Sequence, residues 1–211
     1  MTKKQRAAGC VNILKELYPR AKCSLEAKNA FELLVATRLS AQCTDARVNI
    51  VTPALFDRFP TPFEMSKASC DEVGEYIKSC GLYKTKSKSL VEMSKMLCEK
   101  FGGEVPATIE DLTSLPGIGR KTANLIMGDI YGAPAVVADT HLIRISNRLG
   151  LCDTTDPYKV EMQLRAVLDP KESNDFCHRI VLFGRDVCSA RAPKCDCCPL
   201  FSLCKSKAKG K

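Results

Sequence analysis

The sequence predicts an all-α protein, on three observations. Apolar residues recur at the i, i+3, i+4 spacing of amphipathic helices through most of the 211 residues. The single strand-like run, Ala135-Val136-Val137-Ala138, is too short to found a sheet. No repeat and no low-complexity linker breaks the pattern. Taken in order, Val11, Leu14 and Leu17 form a stripe that ends before Pro19. Phe31, Leu34, Val35 and Leu39 form a second, which breaks over residues 40–45. Val48, Val51, Leu55, Phe56 and Phe59 form a third, capped at its start by Thr44 or Asp45. Two weaker segments follow Thr61-Pro62, and Gly81-Leu82-Tyr83 is a break. Leu90, Met93, Met96, Leu97 and Phe101 define the next helix, stopped by Gly102-Gly103. Thr108 and Asp111 resemble a capping box, with Asp in place of Glu or Gln, opening a short helix to Leu115. Later helices are expected over 142–149, 160–168 and 176–187.

At 45% hydrophobic and 27% charged residues the chain is not a disordered one. No apolar run approaches the ~18–20 residues that would cross a bilayer. The N-terminal Met1-Thr2-Lys3-Lys4-Gln5-Arg6 is basic but lacks the apolar stretch and cleavage site of a secretory signal, so an intracellular, cytoplasmic protein is expected. The net charge of +8 is uneven: residues 1–22 hold six basic and one acidic side chain, residues 171–211 nine and four, and the middle 17 and 19. Charge at both ends points to a polyanionic partner, nucleic acid or an anionic membrane, although residues 205–211 also read as a solvated tail. Only 6% aromatic residues and no tryptophan argue against a single-strand reader built on stacking platforms.

Thirteen cysteines in a reducing compartment do not imply a disulfide framework. Nine are scattered (Cys10, Cys23, Cys43, Cys70, Cys80, Cys98, Cys152, Cys177 and Cys197), and most read as small apolar packing residues. Cys188, Cys195, Cys198 and Cys204 differ: their C-x6-C-x2-C-x5-C spacing over 17 residues argues for metal. Zinc and an iron–sulfur cluster both accept four thiolates, and spacing leaves the two nearly equal.

Leu115-Pro116-Gly117-Ile118-Gly119 separates two helical patterns, and Arg120-Lys121-Thr122-Ala123-Asn124 opens the second. The glycines permit a tight turn and a close approach, and their amides near a helix start suit a phosphate. A plain helix–helix turn satisfies the same pattern. In the second helix Ala123, Ile126, Met127 and Ile130 form the core-facing stripe, which leaves Lys121 on the opposite side. A solvated lysine fits that position. Yet the helix dipole and the adjacent Arg120 both oppose a cation there and favour the nucleophilic neutral amine.

LPGIGRKTAN resembles the helix-hairpin-helix of DNA-repair glycosylases, and the chain is similar to the endonuclease III family from its first helix to Cys204. The resemblance implies two helical lobes, residues 23–133 as a six-helix domain and residues 1–22 plus 134–211 as a cluster domain, with a DNA-binding groove between them. It makes Lys121 the nucleophile that forms a Schiff base with the sugar, and VADTH, at Asp139, the catalytic carboxylate segment that activates it. His141 then lines the base pocket with Ser40 and Asp45. Gln42, in LSAQCTD, matches the residue that fills the vacated stack, and Leu82, in GLY, the wedge beside the opposite base. Cys80 stands where the family often carries a bulkier apolar residue, so a slimmer wedge is expected. Gly117, Gly119, Arg120, Arg191 and Lys194 are the implied DNA contacts, the last two on a loop tethered by the first cysteine ligands. All four spaced cysteines match the family's 4Fe–4S motif, with Cys197 a bystander and the cluster structural. The expected activity is therefore a bifunctional glycosylase and AP lyase acting on oxidised pyrimidines in duplex DNA, as a monomer without membrane or nucleotide cofactor. Rival readings are the adenine-mismatch branch, which typically lacks the lysine and carries an extra C-terminal domain, a catalytically silent DNA-binding protein, and a zinc-binding DNA module.

Overall fold

In the computed structural model, which describes residues 1–206, eleven α-helices and four 3-10 turns form, with no β-strand among the described residues. The basic run from Lys207 to Lys211, read above as a solvated tail, lies outside the described residues. No helix among the described residues is long and apolar enough to cross a membrane. The chain divides into two compact units, Cys23–Gly132, and Met1–Lys22 with Ala133–Lys211.

The first of these holds α2 (Ala30–Leu39), α3 (Asp45–Arg58), α4 (Pro62–Lys67), α5 (Cys70–Ile77), α6 (Tyr83–Phe101), α7 (Ile109–Ser114) and α8 (Arg120–Asp129). Seven helices form where the resemblance implies six, and the two weaker segments expected after Thr61-Pro62 are α4 and α5. The 62–77 stretch breaks at Ala68, whose extended backbone (φ −73°, ψ 152°) lets Ser69 cap a new helix on the Glu72 amide. Thr44 caps α3 by accepting from the Arg47 amide, and left-handed Gly102 ends α6. Thr108 accepts from the Asp111 amide at 3.1 Å, but its hydroxyl donates to the Asp111 carboxylate. Asp is one methylene short of Glu, so the reciprocal bond of a capping box does not form. The apolar stripes close over one core in which Leu34, Leu39, Leu55, Met65, Ile77, Leu90, Met93 and Leu97 are fully buried.

The second unit joins α1 (Lys3–Leu17) to α9 (Thr140–Arg148), α10 (Pro157–Val167) and α11 (Ser173–Asp186). Ala7, Cys10 and Leu14 of α1 pack with Leu142, Ile145, Phe176, Ile180 and Phe183. Glu172 adds a polar tie, accepting from Lys15 at 2.5 Å and from buried Arg179 at 3.0 Å. The Lys15 hydrogen bond and then that of Arg179 hold the Glu172 carboxyl below its ordinary range. That contribution is therefore present at neutral pH and is lost as pH falls through the lowered value. Residues 135–138 form neither helix nor strand.

Two stripe residues depart from the periodic reading. Leu17, at the end of α1, is 45% exposed, and Ile130, just beyond the end of α8, is 37% exposed. Helix ends leave the neighbours that would cover them. Leu14→Ala is therefore expected to destabilise the protein by about 2–5 kcal/mol in urea unfolding, and Leu17→Ala by about 0.5 kcal/mol or less, although both lie on one sequence stripe.

Candidate nucleic-acid interface

The 115–119 segment turns the chain from α7 into α8. Leu115 and Ile118 are buried and anchor it, and the Ile118 amide closes the turn on the Leu115 carbonyl at 3.1 Å. Gly117 lies at φ 78°, where a side chain is strained. A Cβ there would stand 2.5 Å from Arg38 Nε, which itself donates to the Ser89 hydroxyl at 2.8 Å. Gly119 starts α8 with no side-chain cap, faces open space, and is followed by no acidic residue in the first turn. α6 likewise starts uncapped, on Leu82. The other five helices of this unit each carry an Asn, Thr or Ser cap. Uncapped first-turn amides are donors with a partial positive charge.

Arg120 and Lys121 are exposed in the first turn of α8, opposite buried Ala123 and Ile126. Close by, the Cys23 thiol is pushed up to about 11 chiefly by burial, with Asp129 and Asp45 raising it and Lys121 lowering it. Cys23 thus has both Asp45 and Lys121 as neighbours. Asp45 is the first residue of α3 and accepts from the Ser24 hydroxyl at 2.7 Å. Ser40 ends α2, its hydroxyl donating to the Thr37 carbonyl at 2.9 Å.

Gln42 (φ 55°) and Leu82 (φ 47°) are the only non-glycine residues at positive φ among the described residues. Both are exposed, Leu82 by 59%. A left-handed non-glycine residue costs roughly 1 kcal/mol or more, so the surroundings must hold it. Between the two loops lies Lys86 of α6, 1% exposed, whose Nζ donates to the Leu39 carbonyl and to the Cys80 carbonyl, each at 2.8 Å. Burial pulls the Lys86 ammonium below its ordinary range, and the neighbouring Cys43 and Cys80 thiols act in the other sense. It has no ion-pair partner among the described residues.

The other predicted residues belong to the second unit. Asp139 caps α9, its carboxylate accepting from the Leu142 amide at 2.7 Å. His141 Nδ1 lies 3.2 Å from Arg144 Nη2, which also donates to the Cys188 carbonyl at 3.0 Å. Gly184 of α11 makes room for that ring, since a Cβ there would stand 2.4 Å from Nδ1. Cys188, Cys195, Cys198 and Cys204 together line a cavity of ≈ 100 Å³ with Arg148, Val187, Pro193, Lys194, Phe201 and Ser206. Arg148 Nη1 donates to Cys188 Sγ at 3.2 Å, and its carbonyl accepts from Cys204 Sγ at 3.3 Å. Cys197 is exposed, lies outside that lining, and points its Sγ at the Lys194 carbonyl, 3.7 Å away. Among the described residues no three metal-binding side chains converge as they would on a single ion. Four thiols around a cavity are a donor set with room for a cluster. Arg191 and Lys194 are exposed on the loop between the first two of these cysteines.

Sequence reasoning missed Arg38, Lys86 and Arg148. For Lys86 a signal was available: position 86 extends the stripe of Leu90, Met93 and Leu97 by one turn. Its neighbours Lys84 and Lys88, both exposed, masked it. Arg38 and Arg148 act through contacts distant in sequence that no local pattern records.

Residues 35–170 match the family described as HhH-GPD superfamily base excision DNA repair protein. The endonuclease III of Synechocystis sp. is 45% identical over 206 residues, 97% of this chain and 94% of the relative. That of Bacillus subtilis is 43% identical over 201 residues, 95% and 92%. A solved structure of a trapped covalent intermediate of an endonuclease III with DNA superimposes with a TM-score of 0.91 at 41% identity, covering 98% of each chain.

The two hairpin glycines should respond differently to a methyl group. Gly117→Ala is expected to lose about 1–3 kcal/mol of stability, from positive φ and the Arg38 clash. Gly119→Ala is expected to lose about 1 kcal/mol or less, as a weaker N-cap without steric conflict. Parallel urea melts check both.

Proposed function

Since the chain belongs to the HhH-GPD superfamily of base excision DNA repair proteins, as a DNA glycosylase of the endonuclease III type, we propose that it removes oxidised pyrimidines of the thymine-glycol kind from duplex DNA and cuts the strand 3′ to the resulting abasic site. The observation that carries this reading is the pair of strained, exposed residues Gln42 and Leu82. Extruding a base leaves a hole that must be filled and a partner base that must be held. An amide side chain for the hole and an apolar wedge beside the opposite base meet the two needs. The uncapped starts of α6 and α8 offer amide donors to the phosphates flanking the lesion. Arg120, Arg191 and Lys194 add charge for backbone contacts.

Lys121 is the nucleophile. Its neutral Nζ attacks C1′ of the damaged nucleotide, and the C1′–N bond breaks with its electron pair leaving on the base, which takes a proton. The C1′–O4′ bond then breaks with its electron pair on O4′, which takes up the proton that Nζ gives up, leaving an iminium ion between Nζ and C1′. Loss of a proton from C2′ then expels the 3′ phosphate oxygen, and water hydrolyses the imine to free Lys121. Asp139 supplies the carboxylate that supports proton transfer and the positive charge that develops on the sugar. Ser40, Asp45 and His141 offer hydrogen-bonding groups for the extruded base. Cys188, Cys195, Cys198 and Cys204 would hold a 4Fe–4S cluster, whose chemistry is to cross-link the loop bearing Arg191 and Lys194. The reaction consumes no electron.

Two measurements check this account. With thymine-glycol duplex and borohydride, wild-type protein is expected to become covalently linked to DNA and Lys121→Ala is not; a wild type that binds without being trapped is a silent binder. In iron analysis and visible absorbance, Cys188→Ser is expected to lose the cluster signal while Cys197→Ser keeps it. Equal loss in both would place Cys197 among the ligands.

A further inference from the structure

Leu39 is the last residue of α2 and Cys80 the last residue of the 3-10 turn Lys78–Cys80. Carbonyls at such ends have no partner within their own element and carry the negative end of its dipole. Lys86 Nζ satisfies one of each at 2.8 Å, so the two oxygens lie within twice that distance of one another. The residues just beyond these carbonyls are the two loops. After Leu39, the Cys43 amide bonds back to the Ser40 carbonyl at 3.0 Å and closes the turn that holds Gln42 at positive φ. After Cys80 come Gly81 (φ 67°) and Leu82. One turn further along α6, Ser89 accepts from Arg38, against which Gly117 of the hairpin stands.

We propose that Lys86 is a positioning residue that couples the Gln42 loop to the Leu82 loop, so that both left-handed side chains meet the duplex as one rigid pair. This rests on the roles proposed above for Gln42 and Leu82. The residue type follows from the geometry. An ammonium carries tetrahedrally arranged donors and reaches two carbonyls on different chain segments at once. An apolar side chain in its place would leave two buried acceptors unsatisfied. Having no carboxylate partner among the described residues, the ammonium takes its direction from hydrogen bonds to the two carbonyls. A shift of either loop root therefore strains the other.

The test is a double-mutant cycle read by single-turnover release of the damaged base, with each of the four bases opposite the lesion. Lys86→Met is expected to slow release by about 10–100-fold, the scale of an ångström's misplacement, and to flatten the ranking of opposite bases. Leu82→Ala is expected to slow the wild type by about tenfold but to add less than about twofold in the Lys86→Met background, because both act through one element. Cleavage of an abasic site in single-stranded DNA has no opposite base to displace, and is expected to change by less than about threefold. Effects that multiply, or single-strand cleavage that falls as far as duplex release, overturn the proposal. Should Lys86→Met not fold, Lys86→Gln, whose side chain is one atom shorter and uncharged, undergoes the same cycle with the same criteria. A Leu82→Ala enzyme with unchanged duplex activity overturns both this proposal and the role of Leu82 on which it rests.

Discussion

A lysine ammonium with 1% of its surface exposed has to find its solvation inside the protein. Lys86 finds it in the carbonyls that end two elements, and the roots of the two loops that follow are tied through it. The loops leaving those carbonyls hold the only two non-glycine residues at positive φ among the described residues. Strain of that kind persists only where surrounding contacts over-determine the backbone. α6 supplies them, through Lys86 to the two loops and through Ser89 to Arg38 and the hairpin.

The second unit follows a different logic. Both basic ends of the sequence fall in it, because α1 packs with the helices that follow residue 133. Charge that the sequence distributes over its two ends is thereby gathered in one unit. Its chemical feature is the ring of four thiols, around which Arg148 is bonded to two of the cysteines and to the Ser189 and Ala190 carbonyls. Arg144 connects the same loop to His141 on α9. The cysteine loop and the helix capped by Asp139 are thus parts of one hydrogen-bonded assembly.

The helices were legible in the sequence because their signals are local. Thr44, the Gly102 stop and the stripe through Leu90, Met93 and Leu97 each determine structure within a few residues. Errors came at edges, where Leu17 and Ile130 keep the helical period but lose the neighbours that would bury them. The Thr108–Asp111 pair failed as a capping box for want of one methylene, a difference that residue class conceals. The positions of Lys121 and the four spaced cysteines could be singled out from motif spacing, since short motifs hold their geometry. Lys86 was passed over although it lies on the apolar stripe, and its partner Leu39, 47 residues away, has no local mark in the sequence. A polar residue on an apolar stripe is the pattern that would have exposed it.

On the roles proposed for them, Gln42 and Leu82 enter the duplex together and occupy the stack before the base is released. The most direct measurement places 2-aminopurine opposite the lesion and follows its fluorescence against base release in a single turnover. Fluorescence is expected to rise before release with wild-type protein, and that rise is expected to be lost when Gln42 and Leu82 are both replaced by alanine. Base release at the wild-type rate with no preceding change in the stack would contradict it.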